Sequence, residues 1–297
     1  MSSVSSVRPA DRRATRPGVD PVRLTTMPVR VLRLIAVAVQ IARLWLGARF
    51  LARRLSGERR AGFVARAARG LLDALAVDVV VRGRPPAGRK PVLLVANHVS
   101  WLDSYAIHTA ADASFVAKSE VRGWPLIGTI AERFGTVFIV RGSRRGAWRT
   151  MKAAARILRA GRSVAVFPEG TTTDGTGMSR FYPALFQAAI DAGAAVQPVA
   201  VRYFGADGEP TRAAAFVGDM SIEDSLRSLV RERRLAVEVV FGPPIEAQRD
   251  RRALCQAAED AVRQALALPK HWLVEVGAER KRPTFRPAGR SIAPAGA

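Results

Sequence analysis

From about residue 76 to residue 267, short apolar runs alternate with segments of helical period, and this alternation limits the possible folds more than any other feature of the chain. Strand-like runs lie at 77–81, 92–96, 114–117, 136–140, 164–167, 196–202 and 237–241. Helical patterns lie at 103–111, 147–160, 183–192, 221–232 and 250–267. Strands separated by helices predict an α/β domain with a sheet flanked by helices. The 297 residues, 48% of them apolar, suffice for one substantial core without staples. No internal repeat is evident. Cys255 is the only cysteine and sits in an apolar helical pattern, which excludes an intrachain disulfide and points to a reducing compartment. The histidines His98, His108 and His271 are scattered, so no metal site is expected.

Charge is the second constraint. Lys and Arg total 47 against 25 Asp and Glu, a formal +22. Such a chain seeks polyanions, either nucleic acid or an anionic membrane face. The distribution favours the membrane. Residues 30–69 hold ten arginines and one acid, Glu58, interleaved with Leu, Ile, Val, Trp and Phe. Arg30, Arg33, Gln40 and Arg43 fall within about 140° of one helical face at about 100° per residue. Leu34, Ile35, Val37, Ala38, Ile41, Leu44 and Trp45 fill much of the rest. The pattern suits a helix in the membrane interface, apolar face down and arginines toward phosphates, with a bend near Gly47. A soluble helical hairpin packed on the domain is the alternative. The longest uncharged run, Leu34–Ala42, is too short for a simple span of about 20 apolar residues. Arginine breaks the apolar part and no small-residue cleavage site follows cleanly, so a signal peptide is not expected. Nucleic-acid readers of known motif are not matched, and only 7% of residues are aromatic, so no specific nucleic-acid partner is expected.

The chemistry-bearing residues lie at strand exits. His98 and Asp103 occur in Asn97-His98-Val99-Ser100-Trp101-Leu102-Asp103, directly after the run 91–96. An aspartate about one turn after a histidine can reach back to the imidazole and fix its tautomer. Ser100 and Asp103 are also both suited to cap the next helix. The pair makes a two-residue base for acyl transfer if a substrate hydroxyl itself attacks. Glu169 follows the run 164–167 in Pro168-Glu169-Gly170-Thr171-Thr172-Thr173-Asp174-Gly175, where glycine allows close approach of a ligand and hydroxyls can line a polar pocket. An ordinary turn has the same composition. A third run, Gly135-Thr136-Val137-Phe138-Ile139-Val140-Arg141, ends in an arginine suited to clamp an anion.

In this order and spacing these segments resemble the glycerolipid acyltransferase family, of the 1-acylglycerol-3-phosphate acyltransferase type. The family's Asn-His-x4-Asp, Gly-x2-Phe-x2-Arg, Phe-Pro-Glu-Gly-Thr and Val-Pro blocks correspond here to Asn97 to Asp103, Gly135 to Arg141, Phe167 to Thr171 and Val196 to Val199. The resemblance covers about residues 70–245. It implies that His98 is the general base and that Asp103 orients it. It implies that Glu169, Gly170, Thr171 and Arg141 hold the acceptor head group, with Gly135, Phe138 and Thr172 in the same blocks. Lys118 falls where many members keep a lysine near the acceptor phosphate. Many phosphatidic-acid-forming members have arginine after Glu-Gly-Thr; this chain has Thr172. That version looks like the bacterial branch that acylates lyso-ornithine lipid, as does Lys118-Ser119-Glu120-Val121 with Gly123 to Gly128.

The resemblance therefore implies acyl transfer from acyl-CoA or acyl carrier protein, as co-substrate and with no cofactor, to the free hydroxyl of a lyso-lipid such as 1-acyl-sn-glycerol-3-phosphate. Lyso-ornithine lipid is the alternative acceptor. The expected organisation is a disordered basic leader over 1–26, a membrane-associated helical segment over 27–69, an acyltransferase domain with a mixed sheet over 70–268, and a basic Pro-rich tail over 269–297. The expected place is the cytoplasmic face of the inner membrane. A non-catalytic membrane or nucleic-acid-binding protein is the competing class.

Overall fold

The structure, a computed structural model, describes residues 24–51, 54–55, 57–86, 90–139, 144–247 and 249–267. Arg141, His271, nearly all of the expected leader and the whole expected tail lie outside the described residues. Seven strands form one sheet: β1 (Val77–Gly83), β2 (Val92–Ala96), β3 (Ala113–Lys118), β4 (Val137–Ile139), β5 (Ser163–Val166), β6 (Ala195–Phe204) and β7 (Leu235–Phe241). Their order is β1-β7-β6-β2-β5-β3-β4. Every neighbouring pair is parallel except β6 and β7, which makes the sheet mixed, as expected.

β2 lies near the middle, buried along its whole length. Its alternate side chains serve two cores. Val92, Leu94 and Ala96 join one face with Leu71, Leu72, Leu102, Ile107 and Leu229. Leu93 and Val95 join the other with Leu158, Val166, Phe186, Leu254 and Val262. A strand covered on both sides has no use for polar residues, which explains the uninterrupted apolar run. The first core is closed by α2 (Gly57–Ala74), α3 (Leu102–His108) and α7 (Ile222–Arg231). The second is closed by α5 (Arg144–Arg159), α6 (Gln187–Ala192) and α8 (Arg251–Leu266). The departures from the sequence pattern include an unexpected 3-10 turn at Ser119–Gly123 and a third helix, α3, that stops at His108 instead of residue 111. The single helix expected over 183–192 begins as a 3-10 turn, Pro183–Phe186. A short helix not expected from the sequence, α4 (Ile127–Arg133), follows Leu126, which sits at φ 62°.

The N-terminal segment is part of the domain. α1 (Met27–Leu46) passes into a π turn, Gly47–Leu51, before α2 begins. Gly47 is required where the path changes, because a Cβ there would lie 2.1 Å from the Phe63 ring of α2. Leu44 and Ala48 pack with Val64 of α2 and with Ile130 and Phe134, while Val37 enters the main core. The boundary expected at 69/70 would cut α2 through its buried face, between Ala68 and Leu71.

The arginine face of α1 is corrected by the structure. Arg33 donates to the backbone carbonyls of Val230, Glu232 and Arg233, and Arg30 donates to the carbonyl of Thr25. Carbonyls at the end of α7 lack intrahelical partners, and a guanidinium satisfies them with the charge the helix dipole favours there. Arg43 stays exposed, but most of what α1 exposes is apolar, including Met27, Val31, Leu32, Leu34, Ile35, Val39 and Leu46, with Leu32 at 66%. By length and composition Met27–Leu51 is also long and apolar enough to cross a membrane, which its short uncharged run did not suggest.

Candidate active site

Parallel pairing of β2 with β5 brings two loops together at the carboxyl ends of the strands. Ligands bind at such ends in open α/β sheets. The loop after β2 carries His98 and the loop after β5 carries Glu169.

Nearly every polar group of the first loop has an identified partner. Asn97 is buried, and its amide bonds both the N–H (2.7 Å) and the carbonyl (2.9 Å) of Val201 on β6. The His98 N–H donates to Glu169 Oε1 at 2.7 Å, and its carbonyl accepts from the Thr173 N–H at 2.8 Å. The Val99 carbonyl accepts from the Phe216 N–H at 2.9 Å. Buried backbone groups need partners, so this accounting describes a loop held in one conformation.

Within that loop His98 Nδ1 lies 2.8 Å from Asp103 Oδ2. The same oxygen accepts the N–H groups of Val99 (2.8 Å) and Ser100 (3.0 Å). Asp103 Oδ1 accepts the Tyr203 hydroxyl at 2.7 Å. Asp103 is fully buried in the first turn of α3, where the helix dipole favours a carboxylate. It reaches back over the loop, while the Ser100 hydroxyl accepts from the Leu102 N–H at 3.3 Å. The carboxylate thus places the Nδ1 proton, leaving Nε2 as the basic nitrogen. Phe167 stacks on the imidazole, centroids 3.9 Å apart and planes at 9°. The ring is thereby fixed both in plane and in rotation.

Glu169 is almost completely buried. One carboxylate oxygen accepts the His98 N–H and the other the Ser179 N–H. Burial pushes its carboxyl upward, and those N–H bonds and His98 pull it back. It therefore holds the histidine loop and does not project into solvent. Gly170, beside it, has φ 72°, a conformation that favours glycine. Thr171 is exposed, and the Thr172 hydroxyl donates to the Phe216 carbonyl.

The remaining expected residues spread along β3 and β4. Lys118 ends β3, exposed, 3.0 Å from Glu120. Gly135 lies before β4, at the opposite end of the sheet from His98, in a turn with φ 84°. Phe138 is half-buried on β4 with the Arg122 guanidinium 5.7 Å from its ring centroid. The structure thus gathers His98, Asp103, Glu169, Gly170 and Thr172 and sets Gly135 apart. Sequence reading missed Tyr203, Asn97 as a clamp, and Phe167 as the platform for the ring. Only Asn97 and Phe167 carried a signal, as members of the quoted blocks.

Other candidates for catalysis fall away on electrostatics. Burial lowers the His108 imidazole to about 4, so it stays neutral in its apolar setting against Phe115. Burial, helped by Glu259, raises the Cys255 thiol to about 11. A thiol so protonated is no nucleophile at neutral pH. Among the described residues no group of His, Cys, Asp and Glu could hold a metal ion.

Comparison with known proteins identifies relatives of the chain. Residues 78–202 match the acyltransferase family. A lyso-ornithine lipid O-acyltransferase of Pseudomonas aeruginosa is 40% identical over 249 residues, covering 82% of this chain and 93% of that protein. A 1-acyl-sn-glycerol-3-phosphate acyltransferase of Neisseria meningitidis serogroup B is 40% identical over 202 residues, covering 67% and 78%. The fold is similar to that of the 1-acyl-sn-glycerophosphate acyltransferase PlsC of Thermotoga maritima, with a TM-score of 0.62 at 20% identity, covering 86% of this chain and 98% of that one.

Proposed function

The chain belongs to the acyltransferase family and is an O-acyltransferase, and from that premise we propose how its site works and what it acylates. His98 Nε2 takes the proton of a lyso-lipid hydroxyl as that oxygen attacks the carbonyl of an acyl thioester, from acyl-CoA or acyl carrier protein. The tetrahedral oxyanion collapses, the C–S bond breaks, and the imidazolium returns its proton to the leaving thiolate. Asp103 balances the imidazolium charge while it exists. The observation that carries this reading is the buried Asp103 carboxylate held on His98 Nδ1 at 2.8 Å.

Lyso-ornithine lipid is the acceptor we favour. The relative of that name matches more of the chain, 82% against 67% for the 1-acyl-sn-glycerol-3-phosphate acyltransferase. Thr172 adds no charge, and its hydroxyl is engaged by Phe216. Lysophosphatidic acid is the second reading, supported by Lys118 at the end of β3 and by Arg141 in the sequence. Competition between the two acceptors decides it. Wild type should prefer lyso-ornithine lipid, and Thr172→Arg should shift relative kcat/KM toward the phosphate by about tenfold, as a charge-assisted contact of about 1.5–3 kcal/mol implies. A wild-type preference for lysophosphatidic acid would reverse the assignment.

We place the enzyme on an anionic membrane surface through the apolar face of α1. Leu32 and Ile35 are 66% and 56% exposed, too apolar a stretch to leave in water beside so many neighbours of the same kind. Leu32→Glu with Ile35→Glu should abolish flotation with anionic vesicles and leave the thermal unfolding transition in place. Unchanged flotation would put the anchor elsewhere. The cytoplasmic face of the inner membrane, where acyl thioesters are available, is the location this reading implies.

A further inference from the structure

Asp103 is a buried carboxyl group, and among the described residues His98 is the one basic side chain bonded to it. Four donors hold the carboxylate. Three of them, His98 Nδ1–H and the N–H groups of Val99 and Ser100, converge on Oδ2. Oδ1 accepts from the Tyr203 hydroxyl, 2.7 Å away, and has no other partner among the described residues. Tyr203 itself is 4% exposed, on β6 beside Asn97, whose amide clamps Val201 two residues earlier. The site therefore spends a tyrosine, one hundred residues from Asp103 in sequence, on one lone pair of the orienting carboxylate.

We propose that Tyr203 is a positioning residue that sets the basicity of the His98–Asp103 pair by donating its hydroxyl proton to Asp103 Oδ1. This rests on the reading of His98 as general base. The physical argument is a comparison of the two protonation states. A hydrogen bond to Oδ1 disperses the carboxylate's charge. Less negative potential then reaches the imidazole, and the pair binds its proton less tightly. Without the donor the carboxylate is bare on one side and the imidazolium becomes the more favoured state. The change is read as the position of the acid limb of the pH–rate profile. Tyr203 stays protonated throughout the working range, because burial and the neighbouring Asp103 charge hold its hydroxyl well above the usual tyrosine value. The other groups facing the dyad are few. Glu169, from the loop after β5, lies under the His98 backbone. Asp174, on the same loop, is paired with Arg212 at 3.1 Å. Ser225 of α7 accepts the Trp101 indole N–H at 3.0 Å, the Ser100 hydroxyl bonds Tyr203, and none of these carries a charge. None of these touches Oδ1.

The test is the pH dependence of kcat/KM in Tyr203→Phe, a substitution that keeps the ring and removes only the hydroxyl. The acid limb should move to higher pH by about half a unit or more, because a pair that has lost this donor holds the imidazolium proton more tightly. Activity at neutral pH should fall while KM for the acceptor changes less than about twofold, since Tyr203 acts through Asp103 and not on the substrate. A purely structural role would scale the whole profile and leave the limb where it was. In Asp103→Asn the carboxylate charge is gone, so adding Tyr203→Phe should shift the limb no further. A folded Tyr203→Phe enzyme with an unmoved limb overturns the proposal. So does an equal shift in the Asp103→Asn background. Neither result touches the reading of His98 as base, which stands or falls on His98→Ala.

Discussion

His98→Ala should lower turnover by about 100-fold or more, the usual worth of general-base catalysis, in a protein that unfolds at nearly the wild-type temperature. The stability expectation follows from the loop's bonding. The backbone groups of residue 98 hold Glu169 and Thr173, and the substitution keeps both bonds. What is lost is the imidazole, with its stacking on Phe167 and its bond to Asp103. Asp103→Asn should also be severe, for a different reason. An amide can still accept from the Val99 and Ser100 N–H groups, but it brings no negative charge to an imidazolium. The checks are acyl transfer under saturating acceptor and a thermal unfolding curve for each variant. Full activity in a folded His98→Ala enzyme would remove the base from the mechanism.

The second large effect concerns the N-terminal helices. A chain beginning at residue 70 should lose its folded state along with the membrane contact proposed for α1. Only five residues of α2 would remain, too few to persist as a helix. Val37, Leu44 and Val64 would be removed, and Leu71 and Leu72 would lose the frame that buries them. Burying each such side chain contributes about 1.5–3 kcal/mol, and together they match the whole stability of a typical domain, about 5–15 kcal/mol. The guanidinium of Arg33 would also leave the end of α7 without its cap. Circular dichroism and thermal unfolding of the truncated chain should show no cooperative transition. A cooperative transition like that of the full chain would mean that α1 and α2 are appended to the domain and not built into it.

That outcome shows where sequence reading reaches its limit. Amphipathic spacing in 30–46 correctly separates an arginine side from an apolar side. It cannot say which side meets the protein. The membrane reading assigned the arginines to phosphates, whereas Arg30 and Arg33 bond backbone carbonyls, and much of the apolar side is open. The decision depends on α7, some two hundred residues away, and no local pattern contains it. The strands were legible because burial on both faces leaves only apolar residues, as in β2. The His98–Asp103 pair was legible because its members lie five positions apart and a strand end fixes one of them. Tyr203 was not, since its contact with Asp103 exists only through the pairing of β2 with β6. Glu169 was found by its block, but its burial and its two N–H bonds become visible only when the loops after β2 and β5 meet. Arg141 belongs to the sequence argument alone.

The central claim is that a substrate hydroxyl, activated by His98, attacks the thioester directly, with no acyl group passing through the protein. The direct measurement mixes enzyme with an acyl thioester, with and without lyso-lipid, and follows thiol release, acceptor mass and intact protein mass together. The account predicts thiol release only when a lyso-lipid is present, one acyl group gained by the acceptor for each thiol released, and an unmodified protein in both mixtures. Thiol release without acceptor, or a protein heavier by one acyl group, would contradict it.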